Sequence, residues 1–256
     1  MEHEHQQRYY ELGRSYWWLA GKYRIIADVV RRSFGSDGKA RPARILDLGC
    51  GPGNLLDYLA PHGDTFGSDF SQDALRFCAG RGFRRLFRAD FHSLPLRDDS
   101  FDLVTCIDVL EHLEDDRRAI AELVRILRPG GLLVVSVPAF MFLWGDHDTI
   151  YGHHRRYTTG QIRERFVAAG LRMHKASYFE PLFMFPLLLY RNLKKVFGAK
   201  GGLEQRDDFV RLPAPVNAAL CQLIAAERFP LRFLSFPFGV TLLAVASKPA
   251  ASRLTA

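Results

Sequence analysis

The sequence has no C-x-x-C pair: its four cysteines stand alone at positions 50, 78, 106 and 221. That spacing argues against a structural zinc site and a disulfide framework, and it fits a reducing compartment. No run of 18 or more uncharged apolar residues occurs, so a membrane-spanning helix is not expected. The first residues, MEHEHQQRYY, lack the basic-then-apolar order of a secretory leader, and a cytoplasmic location is expected. Internal repeats and low-complexity tracts are also missing. Carboxylates are in deficit. Lys and Arg number 35 against 28 Asp and Glu, a net charge of +7 with a pI near 9.4. Such a balance favours anionic partners: phosphorylated substrates, a membrane surface or nucleic acid.

Apolar residues are plentiful, at 48% of 256 residues, enough for one large domain or one domain with an insertion. The chain is organised around residues 45–56, ILDLGCGPGNLL. Ile45, Leu46 and Leu48 read as a short strand, and Gly49, Gly51 and Gly53 follow at alternate positions. A strand that runs into such a turn and then a helix brings backbone N–H groups close to a ligand. Asp47 lies within the apolar strand, where a lone carboxylate would be costly. It is expected to bond the glycine loop or a cationic ligand. The G-x-G-x-G spacing is not the G-x-G-x-x-G of a dinucleotide turn. Further strands are expected at 65–68, 86–89, 101–107, 132–137, 171–179 and 239–247. Asp69 ends the second strand, about 20 residues beyond the glycines, where an acid can accept both hydroxyls of a ribose. Ser71 caps the next helix, Asp115 or Asp116 the one after the fourth strand, and Thr158 with Gln161 forms a capping box. Strands alternating with helices argue a parallel sheet covered on both faces.

Together, the glycine loop, Asp69, Asp90-Phe91 at the third strand's end and the run LRPGGLLVVSVP resemble the class I methyltransferases that use S-adenosylmethionine. The resemblance covers about residues 44–138. It implies a Rossmann-like doubly wound α/β sheet of seven strands, the last antiparallel. It also implies S-adenosyl-L-methionine as cofactor, held by Asp47, Gly49, Cys50, Gly51, Gly53, Asp69, Phe70, Asp90, Phe91, Ile107 and Asp108. Asp90 would bond the adenine amino group and Phe91 would lie against the ring. The expected organisation is an N-terminal helical lid and linker over 1–43 and a core over 44–180. A hydrophobic helical insertion over 181–238 precedes the last strand and tail over 239–256. The density of rings at Tyr16-Trp17-Trp18 reads either as packing on the sheet edge or as a lid, with Trp17 over the cofactor.

The acceptor side is less defined. Glu111-His112 follows the fourth strand, and histidine titrates near neutrality. The loop at 139–157 concentrates Trp144, His147, His153, Arg155, Arg156 and Tyr157. We read His147, His153 and His112 as base candidates and Trp144, Arg155, Arg156 and Tyr157 as acceptor contacts, an arginine facing an anionic group. D-V-L-E-H also resembles a metal-supported quinone O-methyltransferase site, but no zinc-type spacing is present and no metal is expected. The strings WGDHD and GHHRRYT, the paired tryptophans and the insertion look like a bacterial branch associated with glycan or lipid assembly. The expected activity is methyl transfer, at oxygen first of all, to a small-molecule, glycan or lipid-linked acceptor. A non-enzymatic cofactor sensor or scaffold and an RNA methyltransferase stand as alternatives, although scattered basic residues argue against a nucleic-acid partner. Residues 181–189, PLFMFPLLL, followed by Arg191, Lys194 and Lys195, read as an interface-lying helix for an anionic membrane surface, or as a packed helix. The sequence leaves the oligomeric state open.

Overall fold

The structure is a computed structural model, and it describes residues 15–34, 42–198 and 212–250. The front of the expected lid (1–14), the linker over 35–41, residues 199–211 of the expected insertion, the tail from 251 and the side chains of Lys194 and Lys195 lie outside the described residues.

Seven strands form one sheet. They are β1 (Ala43–Leu48), β2 (Gly63–Asp69), β3 (Leu86–Arg88), β4 (Phe101–Ile107), β5 (Leu127–Pro138), β6 (Arg172–Phe179) and β7 (Thr241–Ser247). Their spatial order is β3-β2-β1-β4-β5-β7-β6. The first five pair in parallel, and β7 enters antiparallel between β5 and β6. β4 is buried along its whole length, as expected of a central strand covered on both faces. The fold is thus the seven-stranded α/β sheet expected from the sequence.

One core layer packs α4 (Asp116–Ile126), with Ile120 and Leu123, and α6 (Thr159–Ala168), with Ile162 and Phe166, against the sheet. On the opposite face α1 (Trp17–Phe34) buries Ile25, Ile26, Val29 and Val30, the apolar positions of its 3.6-residue repeat. α1 also packs on α8 (Ala214–Ala226), where Ile224 fills the space beside Gly21. Short α2 (Leu56–Leu59) and α3 (Gln72–Gly80) complete the nucleotide-side half. The caps form as expected: Ser71 accepts from the Ala74 amide, Asp115 from Arg118, and Thr158 from Gln161.

Two local readings change. Leu127 ends the helix and opens β5 at ψ 136°, and Pro129, which disfavours helical backbone at Arg128, keeps the helix from continuing. The expected loop at 139–157 contains a helical turn, α5 (Asp146–Ile150), whose N-terminus is closed by the Asp148 carboxylate accepting from the Gly145 amide.

Candidate active site

The carboxyl ends of the parallel strands surround a cavity of about 1090 Å³. In an open α/β sheet this edge is where ligands bind. The turn after β1 places Gly49, Gly51 and Gly53 at φ of +73°, +51° and +78°, a region that L-residues with a Cβ seldom enter. At Gly49 a Cβ would also sit 2.2 Å from Val109 Cγ2, so neither the backbone nor the space tolerates another residue. The loop is fastened by Asp69: one carboxylate oxygen accepts from the Gly51 amide and the other from the Ser71 amide, both at 2.8 Å. Each oxygen keeps lone-pair capacity toward the cavity. Burial raises the Asp69 pKa. Asp47 is buried beneath the loop, and its carboxylate accepts from Thr105 Oγ1 at 2.7 Å. Burial, with Asp69 nearby, pushes Asp47 up to about 7 in spite of that bond. Asp47 thus accepts from Thr105 on the neighbouring strand rather than from the glycine-loop amides, and it also lines the cavity.

Asp90 is exposed at the cavity rim, where the His92 amide and ring hold its carboxyl below the usual range. Phe91 is buried beside it. Trp17, Cys50, Phe70, Ile107 and Asp108 line the same cavity. Gly53 does not; it faces Cys78. The sequence did not point to Lys22, whose buried ammonium donates to Asp108 Oδ2 at 2.5 Å while Ser136 Oγ donates to Oδ1 at 3.0 Å. Helical periodicity placed Lys22 on α1, but only tertiary packing brings it across 86 positions to Asp108. Three non-glycine residues with left-handed backbone follow strand ends here: Asp108 after β4, Phe140 after β5 and Glu180 after β6, at φ +53°, +55° and +63°. Each such position costs roughly 1–3 kcal/mol and is characteristic of functional rims.

His112, His147 and His153 converge on the cavity wall. The His112 and His153 rings meet edge-to-face at 4.6 Å. Burial and the neighbouring His153 depress His112 to about 4, and burial depresses His147 to about 3, so both are neutral near pH 7. His153 is different, because its Nδ1 lies 2.8 Å from Asp148 Oδ1. Burial alone would raise Asp148, but the His153 bond and the Arg156 charge outweigh it and hold the carboxyl well below the usual range. Ionised Asp148 can only accept, so His153 Nδ1 carries a proton in this bond, and in the neutral ring Nε2 is the nitrogen that accepts. Arg156 clamps the same carboxylate with two bonds, Nε to Oδ1 at 2.8 Å and Nη2 to Oδ2 at 3.0 Å, and its Nη1 donates to the Ala139 carbonyl. Arg191 packs in behind: a Cβ on Gly145 would lie 2.7 Å from its Nε.

This geometry corrects several sequence expectations. Arg156 borders the cavity, but its guanidinium is committed to Asp148 and Ala139. Arg155 lies outside the lining, donating to the Glu114 carbonyl beside Asp116. Tyr157 is buried, its hydroxyl donating to Asp116 at 2.8 Å. Trp144 donates to Thr149 Oγ1 and also lies outside the lining. Arg191 is buried toward Asp148, so it is not part of a solvent-facing basic helix.

Glu111 is the least expected wall residue. It is 1% exposed, and neither carboxylate oxygen has a partner on another described residue. Burial, then the nearby Asp108 charge, raises its pKa well above the usual range. Glu111, His112 and His153 each offer one ligand atom, all within 4.8 Å of one another, a set that could hold a divalent cation.

Comparison with known proteins agrees with the fold and the glycine loop. Residues 46–135 match the family described as methyltransferase domain. A ubiquinone biosynthesis O-methyltransferase from Sinorhizobium medicae is 32% identical over 150 residues, which is 50% of this chain and 60% of that one. A tRNA (carboxymethyluridine(34)-5-O)-methyltransferase from Arabidopsis thaliana is 38% identical over 96 residues, 36% of this chain and 23% of that one. The chain thus spans only part of the length of the curated relatives it matches. Among solved structures, an S-adenosylmethionine-dependent methyltransferase from Archaeoglobus fulgidus superposes with a TM-score of 0.57 at 18% identity, covering 88% of this chain and 94% of that one. With the strand order, the glycine turn and the strand-end acids, these matches identify residues 46–135 as a class I S-adenosylmethionine-dependent methyltransferase domain.

Proposed function

We propose that this protein transfers a methyl group from S-adenosylmethionine to an oxygen of an amphipathic small-molecule or lipid-linked acceptor, with His153 as general base. The observation that carries the reading is the Asp148–His153 hydrogen bond on the cavity wall. When bound, the cofactor supplies a methyl group already activated on a sulfonium. The protein therefore has to position the acceptor and take one proton. In this reading the glycine loop cradles the amino-acid part of the cofactor and Asp69 accepts from its ribose hydroxyls. Asp90 and Phe91 hold the adenine. His153 Nε2 takes the acceptor's hydroxyl proton, and ionised Asp148 steadies the imidazolium that results. The cavity's aromatic and aliphatic wall, including Trp17, Trp18, Phe183 and Leu187, supports an acceptor with a large apolar part.

The test is incubation of the protein with methyl-labelled cofactor and fractionated cell extract, followed by identification of the labelled product. Label in a small or lipid-soluble hydroxyl compound is expected, and His153→Asn should abolish it. Label in RNA, the acceptor class in one relative's name, would replace this reading. A second reading is favoured by the unpartnered Glu111 carboxylate beside His112 and His153: a divalent cation there would bind the acceptor oxygen and lower its pKa. Turnover lost to a chelator and restored by added magnesium or zinc would select it over direct base catalysis.

A further inference from the structure

We infer that the outer face of α7 (Pro181–Gly198), with the loop Phe233–Phe238, docks on an anionic phospholipid surface, and that the acceptor enters the cavity along this edge. The inference rests on the methyltransferase reading for its second half only. α7 has two apolar faces, which a helix that merely covers a sheet does not need. The inner one is accounted for: Phe183 packs on Trp17 and Trp18 with ring centroids 5.1 and 5.7 Å apart, and Met184 packs with Leu143 and Val240. The outer one is a stripe of Leu182, Phe185, Leu189 and Leu193, spaced three or four residues apart and exposed; Phe185 is 62% accessible. Phe238 adjoins it, its ring 6.0 Å from that of Phe185, and the same loop raises Phe233, 87% accessible, and Leu234. A contiguous exposed apolar surface of this kind marks an interaction site.

Charge selects the partner. Neither 181–198 nor 228–240 contains an Asp or Glu, whereas they hold Lys194, Lys195 and Arg228, besides Arg191, which is buried toward Asp148, and Arg232, which pairs with Asp28. The nearest carboxylates in sequence, Glu180 and Glu227, are buried. An acid-free apolar surface in a chain of net charge +7 suits the headgroup level of an anionic bilayer. No described helix is long and apolar enough to cross a membrane, so α7 would lie in the plane. Its 18 residues would extend about 27 Å. Pro186 and Tyr190 are exposed beside the stripe and also line the cavity. An amphiphile can therefore pass from bilayer to cavity while its tail stays in lipid.

Flotation of the full chain with vesicles tests this. Binding to vesicles of equal phosphatidylglycerol and phosphatidylcholine at low salt should exceed that to phosphatidylcholine alone by at least about fivefold and fall at high salt. Phe185→Ser with Leu189→Ser, and separately Phe233→Ser, should each reduce it by at least about fivefold. Cofactor affinity measured in solution should be unchanged in these variants, and its loss in the wild type would count against the methyltransferase reading, not against docking. No flotation with the mixed vesicles, or flotation that both sets of variants retain, overturns the proposal. So does a dimer in light scattering that Phe185→Ser disperses, which would give the stripe to a second copy of the chain.

Discussion

Asp148 Oδ1 lies 2.8 Å from His153 Nδ1, and Arg156 grips the same carboxylate through two bonds. The histidine's orientation is thus set by a charge that is itself held in place. Asp148→Asn keeps the shape but can present an N–H to Nδ1, favouring the wrong tautomer. Turnover should fall by roughly 10²–10⁴-fold, the usual worth of a positioned general base. Cofactor affinity should stay within about threefold of wild type, because Asp148 lies outside the cavity lining. Single-turnover kinetics beside calorimetry separate the two effects; equal loss in both would make Asp148 a fold residue.

Asp69 joins the glycine loop to the start of α3 through the Gly51 and Ser71 amides. Asp69→Ala should lower S-adenosylmethionine affinity at least tenfold, since charge-assisted bonds contribute about 1.5–3 kcal/mol each. Asp69→Asn should fall between, as it can accept from only one of the two amides. Calorimetry on the folded variants decides, and wild-type affinity in the alanine variant would remove Asp69 from the cofactor site.

Trp17 has a buried indole N–H without a partner among the described residues, and it faces the cavity. Binding at that wall should change its emission. Titration with cofactor or acceptor analogue should alter tryptophan fluorescence, and Trp17→Phe should remove most of the change. A signal retained in this variant would come from Trp18 or Trp144 and would separate Trp17 from the ligand.

Glu180 gives a stability signature. Burial pushes its pKa up to about 8 from an ordinary 4.5, with Thr241 Oγ1 donating to its carboxyl at 2.6 Å. Its folded pKa exceeds the unfolded value, so between about pH 4.5 and 8 the folded state holds the extra proton. Its contribution is complete below that window and is lost as pH rises through it, with a slope approaching about 1.4 kcal/mol per pH unit. Glu180→Gln, which can still accept from Thr241, should flatten the fall in stability between those limits. Denaturant melts across the range measure it; an unchanged slope would assign the fall to the other buried carboxyls, Asp47 and Glu227, both raised to about 7 by burial, with Asp69 and Glu111, also raised.

What could be read from the chain was what periodicity and turn chemistry encode. Ile25, Ile26, Val29 and Val30 announce α1, and three alternate glycines announce the turn after β1. Histidines were legible as a group, since three of them crowd one short stretch and one follows β4. Their division of labour was not, because it depends on Asp148 reaching His153 and on burial that leaves His112 and His147 neutral. Arg156 and Tyr157 looked like acceptor contacts because charge and aromaticity in a loop look alike whether they face ligand or core. Their partners, Asp148 and Asp116, lie 8 and 41 residues away, and only the packed fold shows the pairing. Lys22 and Glu180 escaped notice for the same reason.

The antiparallel entry of β7 makes Phe179, the last residue of β6, and Thr241, the first of β7, direct register partners. A chain that leaves the sheet at one of these residues must therefore return at the other, on the rim where the cavity opens. Between them, α7 brings Phe183 and Leu187 to the cavity wall, and α8 packs on α1. This span thus borders the cavity from one half of the sheet, while Asp69, Asp90 and the glycine turn sit on the other half. In the proposed reading, acceptor contacts and cofactor contacts thereby come from opposite halves of the sheet. Transplanting residues 180–240 together with α1 into a related enzyme should carry the substrate preference with it and leave the donor unchanged.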